Sequence, residues 1–276
     1  MTTSSTDTAR LREAWDTLAE DYDRFVAPLT GALADELVAR ADLGPGRRCL
    51  DVAAGTGAVS LRAARAGAEV VAVDHSPKMV ERLQANARAE GSSNLDGRVM
   101  DGQDLALPDD AFDVAVSNQG VSLFPDVDRG LSEMVRVTRP GGSVLVSVFG
   151  PFHRAEPFGF LTAAMRAVIA GFTPPETPPL PFQLADRDVL RHKLAAAGLS
   201  AVAVETTSWD MAFDSATAFW SAFSSANPAW KQMTAALTDE QRFNVQHVLG
   251  GMFRERAGSG PRAVLHTEVN IGTGTK

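Results

Sequence analysis

Residues 50–57 read Leu50-Asp51-Val52-Ala53-Ala54-Gly55-Thr56-Gly57, and their reading decides the fold. A short apolar run delivers the chain into a glycine-rich turn, and a helical pattern follows. Gly55 and Gly57 let the backbone take angles barred to other residues and lie close to a ligand. A dinucleotide fingerprint would place a third glycine at position 60. Ser60 stands there instead.

Working outward, strand–helix alternation runs on both sides of this turn. Strands are expected at Arg48–Val52, Glu69–Val73, Gly97–Met100, Phe112–Ser117 and Ser143–Phe149. Helices are expected between them at about Gly57–Ala66, Pro77–Glu90 and Asp126–Thr138. This spacing predicts an α/β fold, a Rossmann-like, mostly parallel sheet with helices on both faces.

Upstream, Leu11, Trp15, Leu18, Tyr22 and Phe25 recur at three- and four-residue steps, which predicts one helix over 9–25. Pro28 interrupts, a second helix is expected over Leu29–Ala41, and Gly44-Pro45-Gly46 closes it. Downstream, residues 151–183 carry seven prolines, with a short helix expected near Phe158–Ala170. Helix Ala185–Ala197 and strand Ala201–Thr206 resume the alternation. A helical block over Ser215–Ala257, with a capping signature at Thr238 and Gln241, leads to a last strand at Arg262–Ile271. The expected division is N-terminal helices (1–45, part of a cap), core (46–150), proline-rich lid (151–183), core (184–208), helical cap (209–260) and last strand (261–276).

Composition bounds the function. At 276 residues and 45% hydrophobic, the chain can bury a full core. Thirty-four acidic against 26 basic residues, a formal charge of −8, disfavour a nucleic-acid partner. A single cysteine, Cys49, excludes an internal disulfide or a cysteine metal cluster. The histidines show no metal-ligand spacing. The polar start, Met1 to Thr8, lacks the apolar run of a signal peptide, and no stretch is long and apolar enough to span a membrane. A cytoplasmic location is expected, and oligomeric state is left open.

Two further elements point to an adenosine ligand. Asp74 ends the run Val70-Val71-Ala72-Val73-Asp74, where a carboxylate at a strand tip suits both ribose hydroxyls. Met100-Asp101-Gly102-Gln103-Asp104-Leu105 follows the third strand, where a carboxylate and backbone amides suit an adenine edge. All three elements fall at successive carboxyl ends of strands.

Taken in order, LDVAAGTG, VVAVDHSPKMV, MDGQDLALPDDAFDVAVSNQGVSLFPD and LSEMVRVTRPGGSVLVSVF resemble the motifs of the UbiE/COQ5-like class I methyltransferases, over residues 47–150. The resemblance implies a seven-stranded sheet with its last strand antiparallel. It implies S-adenosyl-L-methionine as cofactor and S-adenosyl-L-homocysteine as product. Asp51, Gly55 and Gly57, in the turn with Ala53 and Thr56, would flank the methionine portion. Ala53-Ala54 replaces the Gly-Cys or Gly-Ser pair often found there, both pairs being small. Asp74 would hold the ribose with His75 and Met79 near it, and Asp101, Gly102 and Gln103 would lie at the adenine. Asn118 and Gln119 would lie beneath the methionine and the reacting methyl. Tyr22 sits where many relatives place an aromatic over the cofactor, and it reads nearly as well as core packing.

His153 and His247 are the candidate general bases for an acceptor hydroxyl, though histidines so placed are more often ordinary surface or packed residues. Aromatic residues crowd the segments outside 46–150, which favours a small, largely apolar or aromatic acceptor, O- or C-methylated. Two other readings use the same cofactor motifs or a similar fold: a scaffold repurposed as a cyclase or binding protein, and a nicotinamide-dependent oxidoreductase. The missing third glycine weighs against the latter.

Overall fold

The computed structural model describes residues 5–174, 179–226 and 228–276. Met1 to Ser4 of the polar start, and Pro175 and Pro178 of the proline-rich segment, lie outside the described residues. Described strands are β1 (Arg48–Val52), β2 (Glu69–Asp74), β3 (Leu95–Val99), β4 (Phe112–Asn118), β5 (Thr138–Phe149), β6 (Ser200–Phe213) and β7 (Ala263–Thr275). Helices are α1 (Ser5–Asp16), α2 (Ala19–Phe25), α3 (Ala27–Arg40), α4 (Ser60–Arg65), α5 (Pro77–Glu90), α6 (Val127–Val137), α7 (Glu156–Val168), α8 (Arg187–Ala196), α9 (Ala216–Ala226), α10 (Pro228–Ala235) and α11 (Asp239–Ala257).

The strands form a seven-stranded sheet in the order β3-β2-β1-β4-β5-β7-β6. β1 to β5 pair in parallel, and β7 runs antiparallel to both its neighbours. This is the class I methyltransferase arrangement of a Rossmann-like sheet. The order reverses at β1, so the tips of β1 and β4 flank the crevice where open α/β sheets take ligands.

Side-chain alternation along the strands divides the core. Val144, Val146 and Val148 of β5 face α6 and α8, packing on Leu131, Met134 and Leu190. Leu145 points to the other face, with Ala34 and Leu37 of α3 and Ala63 and Ala64 of α4. Helix starts are written locally. Ser76 caps α5 by accepting from Met79 N at 3.1 Å, with Pro77 in the first turn, where its missing N–H costs nothing. Thr238 and Gln241 form the expected capping box of α11.

Several boundaries differ from expectation. The helix expected over 9–25 is broken at Thr17-Leu18 into α1 and α2, with Leu18 fully buried at the break. The interruption expected at Pro28 falls at Val26, between α2 and α3, and Pro28 itself sits in the first turn of α3. That helix packs its Ala34 and Leu37 on the sheet rather than serving only a cap. The strand expected at 201–206 continues to Phe213, pairing with β7 from Ala203↔Thr273 to Phe213↔Ala263. β5 stops pairing with β7 at Phe149↔Val269, so a two-stranded ribbon overhangs the sheet. Residues 209–213 are therefore strand, not cap helix. The ribbon's Trp209, Met211 and Phe213 join α7, α9, α10 and α11 in a second apolar core.

Candidate active site

The three elements singled out in the sequence come together at the strand tips. Asp74 is buried, and both its oxygens accept from backbone: Oδ2 from Gly55 N at 2.9 Å and Oδ1 from Ser76 N at 2.9 Å. The β2 carboxylate thus clamps the glycine turn of β1. Burial raises the Asp74 pKa above the usual carboxylate range, opposed by His75 and by those two amides. Gly55 adopts φ +55° and Gly57 φ +103°, conformations that strain any residue with a Cβ. A side chain at Gly55 would also approach the ring of Tyr22 at 3.6 Å.

Asp51 is buried beneath this turn and accepts a hydrogen bond from the Ser60 hydroxyl. The residue that breaks the dinucleotide fingerprint therefore has a partner of its own. Burial pushes the Asp51 carboxyl up to about 7; Ser60 pulls it back in part, and the charge of Asp74 raises it again. A buried carboxyl of this kind is protonated in the fold but ionises near 3.9 once unfolded. Its contribution to stability is complete below about pH 4 and is lost as pH rises towards about 7. The fall in urea midpoint between those values should be shallower in Asp51→Asn than in the parent. Parallel pH profiles for the two proteins would contradict this assignment.

At the tip of β3, Asp101 Oδ1 accepts from Gln103 N at 2.9 Å and Gln103 Nε2 at 3.1 Å. Gln103 Oε1 in turn accepts from Asp126 N at 2.9 Å, tying the loop to the start of α6. Gly102 is required by close approach: a Cβ there would lie 2.5 Å from Phe124 Cζ and 2.8 Å from Val52 Cγ1. At the tip of β4, Ser147 Oγ donates to Asn118 Oδ1 at 2.7 Å, and Gln119 N donates to Ser147 O at 2.9 Å. Ala53 and Gln119 both take left-handed conformations, φ +56° and +61°. Such strain in residues with side chains gathers at functional sites.

These residues border two adjoining cavities. The first is a cleft of about 830 Å³, counting its open mouth. Its lining includes Tyr22, Ala53, Gly55, Asp74, His75 and Met79 from one side. Asp101, Gly102, Gln103, Asn118 and Gln119 complete it from the other. Asp51 and Thr56 border a smaller cavity behind the turn, which Tyr22 and Asn118 also touch. Gly57 lies in the turn against Leu61 and Leu83. The second large cavity, about 770 Å³, lies under the cap and shares Trp15, Tyr22, Gln119 and Leu123 with the first. Phe158, Trp209, Phe223 and Trp230 are among its walls. Tyr22 packs edge-on to Trp15 at 6.1 Å, and burial, with Asp74 nearby, pushes its phenol up to about 12.

The two candidate bases are not brought to either cavity. His153 is exposed on the 3-10 turn 152–154, and His247 is exposed on α11, stacked on Phe243 at 6.4 Å. His247 falls on the outward stripe of its helix because Val245, Leu249 and Phe253 hold the inward one. Sequence reasoning missed Ser60 and Ser147, whose hydroxyls organise Asp51, Asn118 and Gln119. It also missed Phe149, which walls the second cavity. A polar residue inside an otherwise valine-rich strand was the available signal for Ser147.

The cleft suits an adenosylated sulfonium. Asp74 keeps lone pairs for ribose hydroxyls, and two buried polar atoms, His75 Nε2 and Gln119 Oε1, have no hydrogen-bond partner. Residues 50–146 match the family model described as a methyltransferase domain. Together with the sheet order, this match makes residues 50–146 a methyltransferase domain of the class I, S-adenosylmethionine-dependent type. Among curated proteins, the uncharacterized protein Rv1405c of Mycobacterium tuberculosis is 42% identical over 124 residues, 45% of each chain. Within the class, the domain is related to the demethylmenaquinone (UbiE-like) methyltransferases: the demethylmenaquinone methyltransferase of Corynebacterium glutamicum is 36% identical over 137 residues, 47% of this chain and 56% of that one. The chain thus spans about half the length of the curated relatives it matches. The crystal structure of Bacillus YcgJ shares the fold at TM-score 0.58 and 20% identity, covering 88% of this chain and 97% of that one. Among the described residues, no helix is long and apolar enough to cross a membrane.

Proposed function

We propose that the chain binds S-adenosylmethionine in the strand-tip cleft and methylates a small, largely apolar or aromatic molecule held in the cavity beneath the cap. The observation that carries this reading is the shared wall: Tyr22 and Gln119 border both cavities, so a ligand in each would meet there. When bound, the cofactor would supply an electrophilic methyl and keep the C–S electrons on its sulfur, and the acceptor's proton would leave through the open mouth of the cleft.

The residues themselves do three things. Asp74 and the Gly55 turn hold the adenosyl end. The apolar walls exclude water and fix the acceptor, and alignment of this kind contributes on the order of 7–11 kcal/mol. Tyr22, protonated at neutral pH because its phenol lies at about 12, can donate a hydrogen bond but cannot serve as the base. Among the described residues, none lining the cap cavity is Asp, Glu or His, which favours positioning over proton abstraction as the source of the acceleration.

Incubation with the cofactor and a panel of neutral arenes, followed by mass spectrometry, should show addition of one methyl group per acceptor molecule. Calorimetry should show S-adenosylhomocysteine binding with one site per chain. A chain that binds the homocysteine form but methylates nothing in the panel would favour the cyclase or binding-scaffold reading. Absence of binding would end the reading altogether.

A further inference from the structure

Among the described residues, the walls of the cavity beneath the cap carry no formal charge, since none of those lining it is Asp, Glu, Lys, Arg or His. Two of its polar groups are already engaged. The Thr30 hydroxyl donates to Ala27 O at 2.9 Å, and Trp209 Nε1 donates to Leu29 O at 2.8 Å. A carboxylate, phosphate or ammonium entering it would give up hydration without a counter-charge.

Gln119 differs from the other wall residues. Its backbone N–H is held by Ser147 O at 2.9 Å and Ser147 Oγ at 3.2 Å, and its Nε2 donates to the same Oγ at 3.4 Å. The single hydroxyl proton of Ser147 is committed to Asn118 Oδ1 at 2.7 Å. Ser147 Oγ can therefore only accept from Gln119, which orients the amide with Nε2 on the serine. The carbonyl end, Oε1, is left buried with no partner. Buried acceptors are nearly always paired, so one held by a fixed network calls for a donor from outside the chain. A chain conformation of φ +61° at this residue is a further cost sustained to keep the side chain here.

We propose that Gln119 reads the acceptor's hydroxyl: the ligand of the cap cavity is a neutral hydroxylated arene whose O–H donates to Oε1. This rests on the reading of that cavity as the acceptor site. It assigns Gln119 to the acceptor rather than to the methionine portion expected from the family resemblance. Gln119 is then a positioning residue, holding the nucleophilic oxygen at the wall common to both cavities. It also separates substrate from product. An O-methylated arene has no proton to give, and its ether oxygen would face a carbonyl oxygen, so the product is bound less tightly than the substrate.

The test is calorimetric titration of the full chain, with S-adenosylhomocysteine present and absent, using biphenyl-4-ol, 4-methoxybiphenyl and biphenyl-4-carboxylate. The phenol should bind about tenfold more tightly than its methyl ether, a difference of about 1.4 kcal/mol, and the carboxylate should not bind. In Gln119→Met, nearly the same in size but without the carbonyl, the phenol and ether should bind alike while ether affinity is kept. A folding defect would weaken both ligands and leave their ratio unchanged. Equal affinities in the parent, a phenol preference surviving in Gln119→Met, or no binding of either neutral arene would each overturn the proposal. So would a Gln119→Met chain that loses S-adenosylhomocysteine yet keeps the phenol preference, because Gln119 would then serve the cofactor. A parent chain that prefers the phenol but binds no S-adenosylhomocysteine would instead defeat the methyl-transfer reading and leave the hydroxyl assignment standing.

Discussion

Replacing Asp74 with alanine is expected to weaken S-adenosylhomocysteine binding by a factor of about 10² or more while the chain stays folded. The carboxylate is the one charged group at the β2 tip that faces both the cleft and the glycine turn. Hydrogen bonds to an ionised partner contribute about 1.5–3 kcal/mol each, so two ribose hydroxyls account for about 3–6 kcal/mol, or roughly 10²–10⁴ in affinity. The substitution also strips Gly55 N and Ser76 N of their shared acceptor, which loosens the turn itself. Asp74→Asn keeps one carbonyl oxygen and should fall between parent and alanine variant. Calorimetry provides the affinities and circular dichroism the fold. An alanine variant within about threefold of the parent would show that Asp74 does not hold the ligand.

The second large effect is on the cap. Phe158 meets Phe182 at 5.0 Å, Trp230 at 4.9 Å, Phe223 at 5.3 Å and Phe152 at 5.5 Å, and it is only 5% exposed. It joins α7 to the proline-rich segment and to α9 and α10, so its ring is the meeting point of that core. Truncation of a phenylalanine so enclosed costs about 3–5 kcal/mol. Phe158→Ala should lower unfolding stability by that amount in urea, with the loss confined to a first, separate transition if cap and sheet uncouple. Phe243→Ala is the control: at 70% exposure, its removal should change stability by less than about 0.5 kcal/mol. Near-equal stabilities for the two variants would mean that the aromatic cluster does not hold the cap.

The sheet and its cofactor cleft were legible in the sequence because their signals are local. β1 at Arg48–Val52 and α5 at Pro77–Glu90 were placed to the residue, and the caps of α5, Ser76 before it and Gly91 after it, are themselves local. Asp74 and Gly55 were readable as partners since both sit at strand ends, where topology alone brings neighbours together. The cap was less legible. Its aromatics share one composition whether they wall a cavity or fill a core, and which does which depends on contacts far apart in the chain. Trp15, Phe158, Trp209, Phe223 and Trp230 line the cavity, while Phe160, Phe213, Phe219 and Phe253 pack among themselves. His153 and His247 drew notice for their chemistry, but the apolar stripe of α11 turns His247 to solvent, and His153 is exposed on the short turn 152–154. The hydroxyls of Ser60 and Ser147 were invisible for the opposite reason: a lone serine has no pattern until its partner is known.

The β6–β7 ribbon carries a mechanical consequence. Beyond the Ala155↔Thr267 bridge, from Asp210↔His266 to Phe213↔Ala263, the two strands pair only with each other, a projection of about 10 Å at the usual rise per residue. Trp209 and Met211 ride on it as the floor of the cap cavity. A continuous ladder of this kind is a cantilever rooted in the sheet, and it has no joint at which the floor can swing away from the strand tips. The depth available to a ligand is thereby gauged by backbone, and any breathing that admits one belongs to the roof, where α1 and α2 are fastened by polar ties such as Asn86 Nδ2 to Asp23 Oδ1 at 2.9 Å and Lys231 Nζ to Thr17 O at 3.1 Å.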